Sequence, residues 1–254
     1  METPSLKLSL GLLFLGAAAT LAGALMCEDV AGAPAAQRYA IGGGAFVAAL
    51  FLSQCWVCLR RSGRLVEHIL YRATAGLGLA YFLLSMGLPS IFDPDLSVLL
   101  VRATLVASLW LLGLNLLAGV RKFDAEWQRV GQAAFEQVRP RGSAVLDWSA
   151  VLAPMRLELG VYLPGLAAWR ADALAAMLAL VSLPAGLLIW EYHVAGFAIA
   201  ALGFTLLLAS IAQMIGMHLG QAARILALER KLGKQLLQSD QPYRPRRKRL
   251  KRRA

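Results

Sequence analysis

Six runs of about 20 mainly apolar residues constrain the fold of this chain more than any other feature. A helix needs about 20 such residues to cross the hydrocarbon core of a bilayer. Of the 254 residues only 16% are charged, against about 25% in soluble domains. The sequence therefore predicts an all-α integral membrane protein with about six transmembrane helices, at residues 7–27, 39–59, 66–88, 97–119, 172–191 and 195–217.

Lysine and arginine are concentrated in the connections that would share one side of the membrane. Three arginines lie between residues 60 and 64, and Arg121 and Lys122 follow the fourth run, whereas the opposite connections are acidic or nearly neutral. Cytoplasmic loops carry an excess of positive residues, so both termini are predicted to be cytoplasmic. The alternative for residues 7–27 is a cleaved signal peptide, which would leave five spans.

The spans and the segments between them divide the chain into five parts. The predicted parts are a four-helix transmembrane half (1–119), a cytoplasmic or interfacial amphipathic loop (120–171), a transmembrane pair (172–217), a cytoplasmic amphipathic helix (218–238) and a disordered polybasic tail (239–254).

Two of these parts carry apolar stripes at helical spacing. In the loop, the stripe consists of Trp127, Val130, Ala134, Phe135 and Val138. This loop either lies in the headgroup layer or packs onto the ends of the spans. In 218–238 the stripe consists of Ile225, Leu228, Leu232 and Leu236. We expect that stripe to dock on a partner or to lie along the membrane surface.

Polar side chains within the spans are few. Arg72 and Arg102 lie near opposite ends of their spans, and Asn115 and Gln213 are predicted to form hydrogen bonds between helices. No predicted span has Asp or Glu at its middle, which disfavours an ion-coupled transporter.

Glycines within the runs predict close contacts between helices. They are Gly42, Gly43 and Gly44, then Gly76 with Gly78, and Gly216 with Gly220. Small residues allow helix backbones to approach in a membrane, either within the chain or against other subunits.

Four residues could form a metal site. Cys55 and Cys58 end the second span, His68 begins the third and His218 follows the sixth, all on the predicted cytoplasmic side. Together they make a Cys₂His₂ set of the kind that Zn²⁺ accepts. The alternatives are packing as metal-free residues and acylation of the cysteines. We otherwise expect no cofactor.

The net charge of +11 is mostly a property of the tail, which holds eight of these charges and leaves +3 on the rest of the chain. The eight residues are Arg244, Arg246, Arg247, Lys248, Arg249, Lys251, Arg252 and Arg253. Anionic headgroups attract basic residues by about 1 kcal/mol each near the surface. An acidic partner protein would use the same electrostatics. Nucleic acid is not favoured, because no aromatic side chain interleaves these charges.

Catalytic signatures are absent from the sequence: it has no nucleophile elbow, phosphate-binding loop or His-Glu-x-x-His. The pattern favours a non-catalytic subunit or assembly factor of a larger membrane complex, in a bacterial inner membrane. The first alternative is a channel or facilitator with a path lined by Ser, Thr, Asn115 and Gln213. The second is a lipid-modifying enzyme with a pocket that joins Arg72, Asp124 or Glu126 to Arg156.

Overall fold

A computed structural model describes residues 5–60, 63–139, 143–188 and 193–239, and the chain is mostly helical. The helices are α1 (Leu6–Ala31), α2 (Ala33–Arg60), α3 (Leu65–Gly87), α4 (Val98–Glu126), α5 (Gln132–Val138), α6 (Trp148–Leu152), α7 (Ala168–Leu188) and α8 (His193–Leu232). A 3₁₀ turn (Leu88–Phe92) follows α3, and a π-helical turn (Trp127–Gly131) joins α4 to α5. Two short strands, β1 (Val145–Leu146) and β2 (Leu237–Gln238), pair in parallel.

Four helices in the described ranges are long and apolar enough to cross a membrane. They are Leu6–Ala31, Ala33–Arg60, Val98–Val138 and Gly203–Leu232. The predicted third and fifth spans correspond to α3 and α7, which are not among these four. The chain thus has the apolar helices of a membrane protein, and the count of six spans stays a prediction.

The continuous helix Val98–Val138 is too long for a bilayer alone. At 1.5 Å per residue its 41 residues extend about 60 Å, twice the thickness of the hydrocarbon core. The 40-residue α8 exceeds that thickness in the same way. Each helix is therefore about twice as long as one crossing requires, and its charged residues are concentrated in its second half.

Two N-caps and a left-handed glycine define the helix ends. The Ser5 and Ser97 side chains accept hydrogen bonds from the backbone N–H groups of Leu8 and Leu100, which begins α1 and α4. Gly32 ends α1 at φ 81°, and its N–H donates to the Glu28 carbonyl. Because glycine adopts this φ without a steric penalty, α1 and α2 are joined by a single residue.

Glycines allow α4 and α8 to touch along their backbones. A Cβ on Gly119 would overlap the Gln213 carbonyl oxygen, and a Cβ on Gly216 would overlap that of Leu116. The pairs Ser108–Thr205 and Asp124–Arg224 show that the two helices run parallel. The prediction that Gly216 serves close packing is confirmed.

The Gly42–Gly44 triplet is predicted to pack closely either within the chain or against other subunits. Within the described part of the chain, Gly43 alone of the three meets another helix, where a Cβ would overlap the Tyr81 hydroxyl oxygen. A Cβ on Gly42 or Gly44 would have no described atom within 4 Å. These two glycines therefore serve no contact within the described chain.

A large hydrophobic core lies at the charged ends of α4 and α8, and we call it the extramembrane core. Its centre contains residues with no more than 2% exposure: Leu65, Ile69, Phe123, Leu146, Trp148, Val151, Ile225 and Leu236. Trp127 stacks on Trp148 with ring centroids 5.9 Å apart. Trp127, Phe135 and Trp148 of the loop 120–171 thus pack into this core, whereas Tyr162 and Trp169 are exposed. The choice between the two alternatives for the whole segment stays a prediction.

The apolar stripe of 218–238 belongs to the same core. Ile225 and Leu236 are fully buried, and Leu228 and Leu232 pack against them. The expectation that this stripe docks on a partner or on the membrane was wrong, because the chain itself covers it. The helix also ends earlier than predicted, at Leu232, and Gly233 at φ 63° turns the chain into β2.

Candidate functional site

The four predicted metal ligands are not brought together. Cys58 Sγ lies 3.9 Å from the Ser9 hydroxyl oxygen of α1. Helix α2 packs against α1 and α3, whereas α8, which carries His218, packs against α3, α4 and α7. Among the residues that the structure describes, no three His, Cys, Asp or Glu side chains are placed to hold a metal ion. The described residues thus give no support to the predicted Cys₂His₂ site of Cys55, Cys58, His68 and His218, which stays a prediction.

The other predicted binding residues are those of the basic tail. Arg244, Arg246, Arg247, Lys248, Arg249, Lys251, Arg252 and Arg253 lie outside the described residues. Their role stays a prediction.

Polar side chains from several helices converge on an irregular stretch that we call the clamped segment, residues 156–162. Its backbone is bonded by side chains of three helices rather than by a helix or sheet of its own. Irregular backbone at membrane depth is tolerated only where protein satisfies it.

Asn115 holds the inner end of the clamped segment. Its Oδ1 accepts from the Tyr162 N–H at 2.7 Å, and its Nδ2 donates to the Tyr162 carbonyl at 3.0 Å. Nδ2 also donates to the Leu111 carbonyl of its own helix. The side chain is fully buried, so one amide satisfies both backbone groups of a residue in another segment.

Two further side chains bond the middle of the segment. Gln213 of α8 accepts from the Gly160 N–H at 2.9 Å, and Asp172 of α7 accepts from the Val161 N–H at 2.7 Å. Val161 then packs with Leu111 of α4 in a small apolar cluster. The predicted polar residues Asn115 and Gln213 thus bind a loop rather than another helix.

The outer end of the segment is bonded by α4. Glu126 accepts from the Arg156 N–H at 2.8 Å, and Lys122 donates to the Glu158 carbonyl. Glu126 is also paired with Arg129 at 2.6 Å. These contacts fix the segment alongside α4 from the extramembrane core to the level of Asn115.

The facilitator hypothesis requires a path with a polar lining, and the cavity beside the clamped segment can be compared with that requirement. A cavity of about 390 Å³ lies between α4, α8 and the residues that follow the clamped segment, and its lining is mainly apolar. Ser108 and Thr205 line it, and their hydroxyls bond each other at 2.7 Å. Because Asn115 and Gln213 are buried and bonded to backbone, they do not supply the polar lining that this hypothesis requires.

The lipid-enzyme hypothesis required a pocket that joins acidic and basic groups. Asp124 instead forms an ion pair with Arg224 at 3.1 Å, and Glu126 bonds Arg129 and the Arg156 backbone. The carboxylates named for that pocket are therefore held in structural contacts.

Sequence reasoning missed a three-segment sheet at the end of the extramembrane core. The Leu65 N–H donates to the Leu236 carbonyl at 2.8 Å, and the Gln238 N–H donates to the Gly63 carbonyl at 2.9 Å. On the other side, β2 pairs with β1. No alternating pattern marks such short strands, so the sequence carried no usable signal for them.

An ion pair fastens this sheet to α8. Arg64 binds both carboxylate oxygens of Glu229, at 2.7 and 3.4 Å, and Glu229 also accepts from the Leu236 N–H at 2.9 Å. Burial disfavours the ionised carboxylate, but these hydrogen bonds outweigh it and lower the pKa of Glu229. The ion pair and the hydrogen bond to Leu236 therefore fix the position of β2 relative to the end of α8.

Comparison with known proteins gives no assignment. No protein-family model, no curated protein and no solved structure matches the chain. The function has to be argued from the geometry alone.

Proposed function

We propose that this protein is a non-catalytic subunit or assembly factor of a larger membrane complex. We propose further that it has six spans and that both termini lie on the cytoplasmic face of a bacterial inner membrane. Its basic tail would contact anionic lipid or an acidic partner.

The open small-residue face of α2 carries this proposal. Gly42, Ala45 and Ala49 are exposed and fall at spacings of three and four, which places them on one side of the helix. A Cβ on Gly42 would meet nothing within 4 Å in the described chain. Because small residues let membrane helices approach closely, an exposed face of this kind suits a helix from another subunit.

The use of the polar groups supports the same interpretation. Asn115, Gln213 and Asp172 are engaged in holding the clamped segment. Side chains committed to the protein's own backbone favour a structural role over transport or catalysis.

The test is affinity purification from native membranes, followed by mass spectrometry. We expect partner proteins with the wild-type chain and their loss from a Gly42→Leu, Ala45→Leu variant, because the added side chains would separate the helices. Val106→Leu is the matched control, since Val106 is exposed on α4, and it should retain the partners. A wild-type chain that purifies from mild detergent as a monomer without partners would refute the proposal.

A further inference from the structure

Arg72 of α3 and His218 of α8 lie at the same level of the interface between these two helices. A Cβ on Gly76, one turn after Arg72, would lie 3.0 Å from the Ile215 side chain. The last residue of α3 meets α8 at an earlier chain position than Ile215 does, so the helices run antiparallel. One further turn along each helix then brings Arg72 and His218 together, and the charge of Arg72 acts on the His218 ring.

Neither of these two side chains has a hydrogen-bonding partner. Within the part of the chain that the structure describes, the Arg72 guanidinium forms no hydrogen bond and no ion pair. The one carboxylate on α3, Glu67, is paired with Arg60. His218 Nδ1 is buried without a partner, but the residue as a whole is only partly buried, so Nε2 is the ring nitrogen that a ligand can reach. Two neighbouring hydrogen-bond donors are thus left for a group from outside the described chain.

The residue next to Arg72 shows how deep the pair lies. The Tyr71 hydroxyl is 3.0 Å from the Ser9 hydroxyl oxygen and donates to the Ser5 carbonyl at 3.0 Å. Ser5 and Ser9 belong to the first turn of α1, which is long and apolar enough to cross a membrane. The 26 residues of α1 extend about 39 Å at 1.5 Å each, against about 30 Å for the hydrocarbon core. An end turn of α1 therefore reaches the headgroup layer, and Arg72 lies beside that turn.

The chemistry of the two side chains defines what they can bind. A guanidinium that enters the edge of a bilayer is costly unless an anion accompanies it. Its fork of donors matches the oxygens of a phosphate in a bidentate arrangement, and an imidazole N–H can donate to a further oxygen. Basic pockets between membrane helices are known to bind phospholipid headgroups.

We propose that Arg72 and His218 form a binding site for a phosphate group between α3 and α8. The depth of the site suits the phosphate of a lipid headgroup, and a free phosphate ion has the same chemistry. The inference rests on the placement of α1 in a membrane. It does not require that the chain be a subunit of a complex, since one purified chain contains both residues.

The full-length chain is purified in a maltoside detergent, which contains no phosphate, and is titrated with phosphatidylglycerol. Native mass spectrometry counts the lipid molecules that stay bound. We expect Arg72→Gln to raise the Kd of one bound lipid about tenfold or more, because a hydrogen bond to a charged group contributes about this factor. Arg121→Gln is the matched control, since Arg121 is exposed on α4, and it should bind as wild type does. Lipid bound by the basic tail is common to all of these chains.

His218→Phe is a second variant, which keeps a ring but removes the donor. It should weaken the same lipid by roughly threefold, and it keeps the test decisive if Arg72→Gln does not fold by circular dichroism. The same titration with inorganic phosphate separates the two sources. A phosphate adduct that is lost in the variants would assign the site to a soluble anion, whereas a lipid adduct lost in them would assign it to a headgroup. Equal affinities of wild type and both variants for both probes would overturn the proposal.

Discussion

Replacement of Asn115 by leucine tests the clamped segment directly. Leucine has nearly the same size but cannot bond Tyr162, whose N–H and carbonyl both depend on the Asn115 amide. An unpaired buried backbone group costs about 1–3 kcal/mol. Because these groups are only partly shielded, we take about 1.5 kcal/mol for each, which gives a loss of about 3 kcal/mol.

Thermal unfolding in detergent measures this loss. At about 2–4 °C per kcal/mol for a chain of this size, Asn115→Leu should lower Tm by about 10 °C. Leu117→Val is the control, because Leu117 is 50% exposed on the same helix. If Asn115→Leu left Tm at the wild-type value, the Asn115 amide would not hold this segment.

Two further outcomes follow from the packing of α8. Gly216→Leu should prevent recovery of folded, monodisperse protein, because its Cβ would overlap the Leu116 carbonyl oxygen, while Gly113→Ala, with nothing within 4 Å, should behave as wild type in size-exclusion chromatography. Glu229→Gln should destabilise the protein near pH 7, because the lowered pKa of Glu229 means that its ionised form is stabilised by folding. That stabilisation is present above the ordinary carboxyl pKa of 4.5 and is lost as the pH falls through the folded value. The Tm difference between wild type and Glu229→Gln should therefore shrink in acid; a difference that stayed constant from pH 7 to pH 3 would contradict the ion pair with Arg64.

The membrane character of the chain could be predicted from the sequence because hydrophobic length is a local property. The length and composition of an apolar run can be read without knowing its partners in the fold. Four of the runs correspond to helices with the length and composition of membrane spans. Close packing at Gly216 was predictable for the same reason, since a small residue in an apolar helix has few other uses.

The partners of polar residues could not be predicted, because they are distant in sequence. Asn115 bonds a residue 47 positions away, and Arg64 bonds one 165 positions away. The aromatic residues of the loop were ambiguous for a different reason. Trp127 and Trp148 suit the headgroup layer and a protein core equally well, and only the fold shows that both are buried.

The clamped segment explains why a chain with so few intramembrane polar residues keeps Asn115 and Gln213. Gly160 lies close to Asp172, where a Cβ would be 3.2 Å from the carboxylate oxygen, and Pro164 follows soon after, which disfavours a helix through this stretch. A backbone that forms no helix needs donors and acceptors from elsewhere, and apolar spans offer only the side chains placed in them. An isolated amide in an apolar run therefore predicts irregular backbone beside it, which is a more specific expectation than a hydrogen bond between two helices.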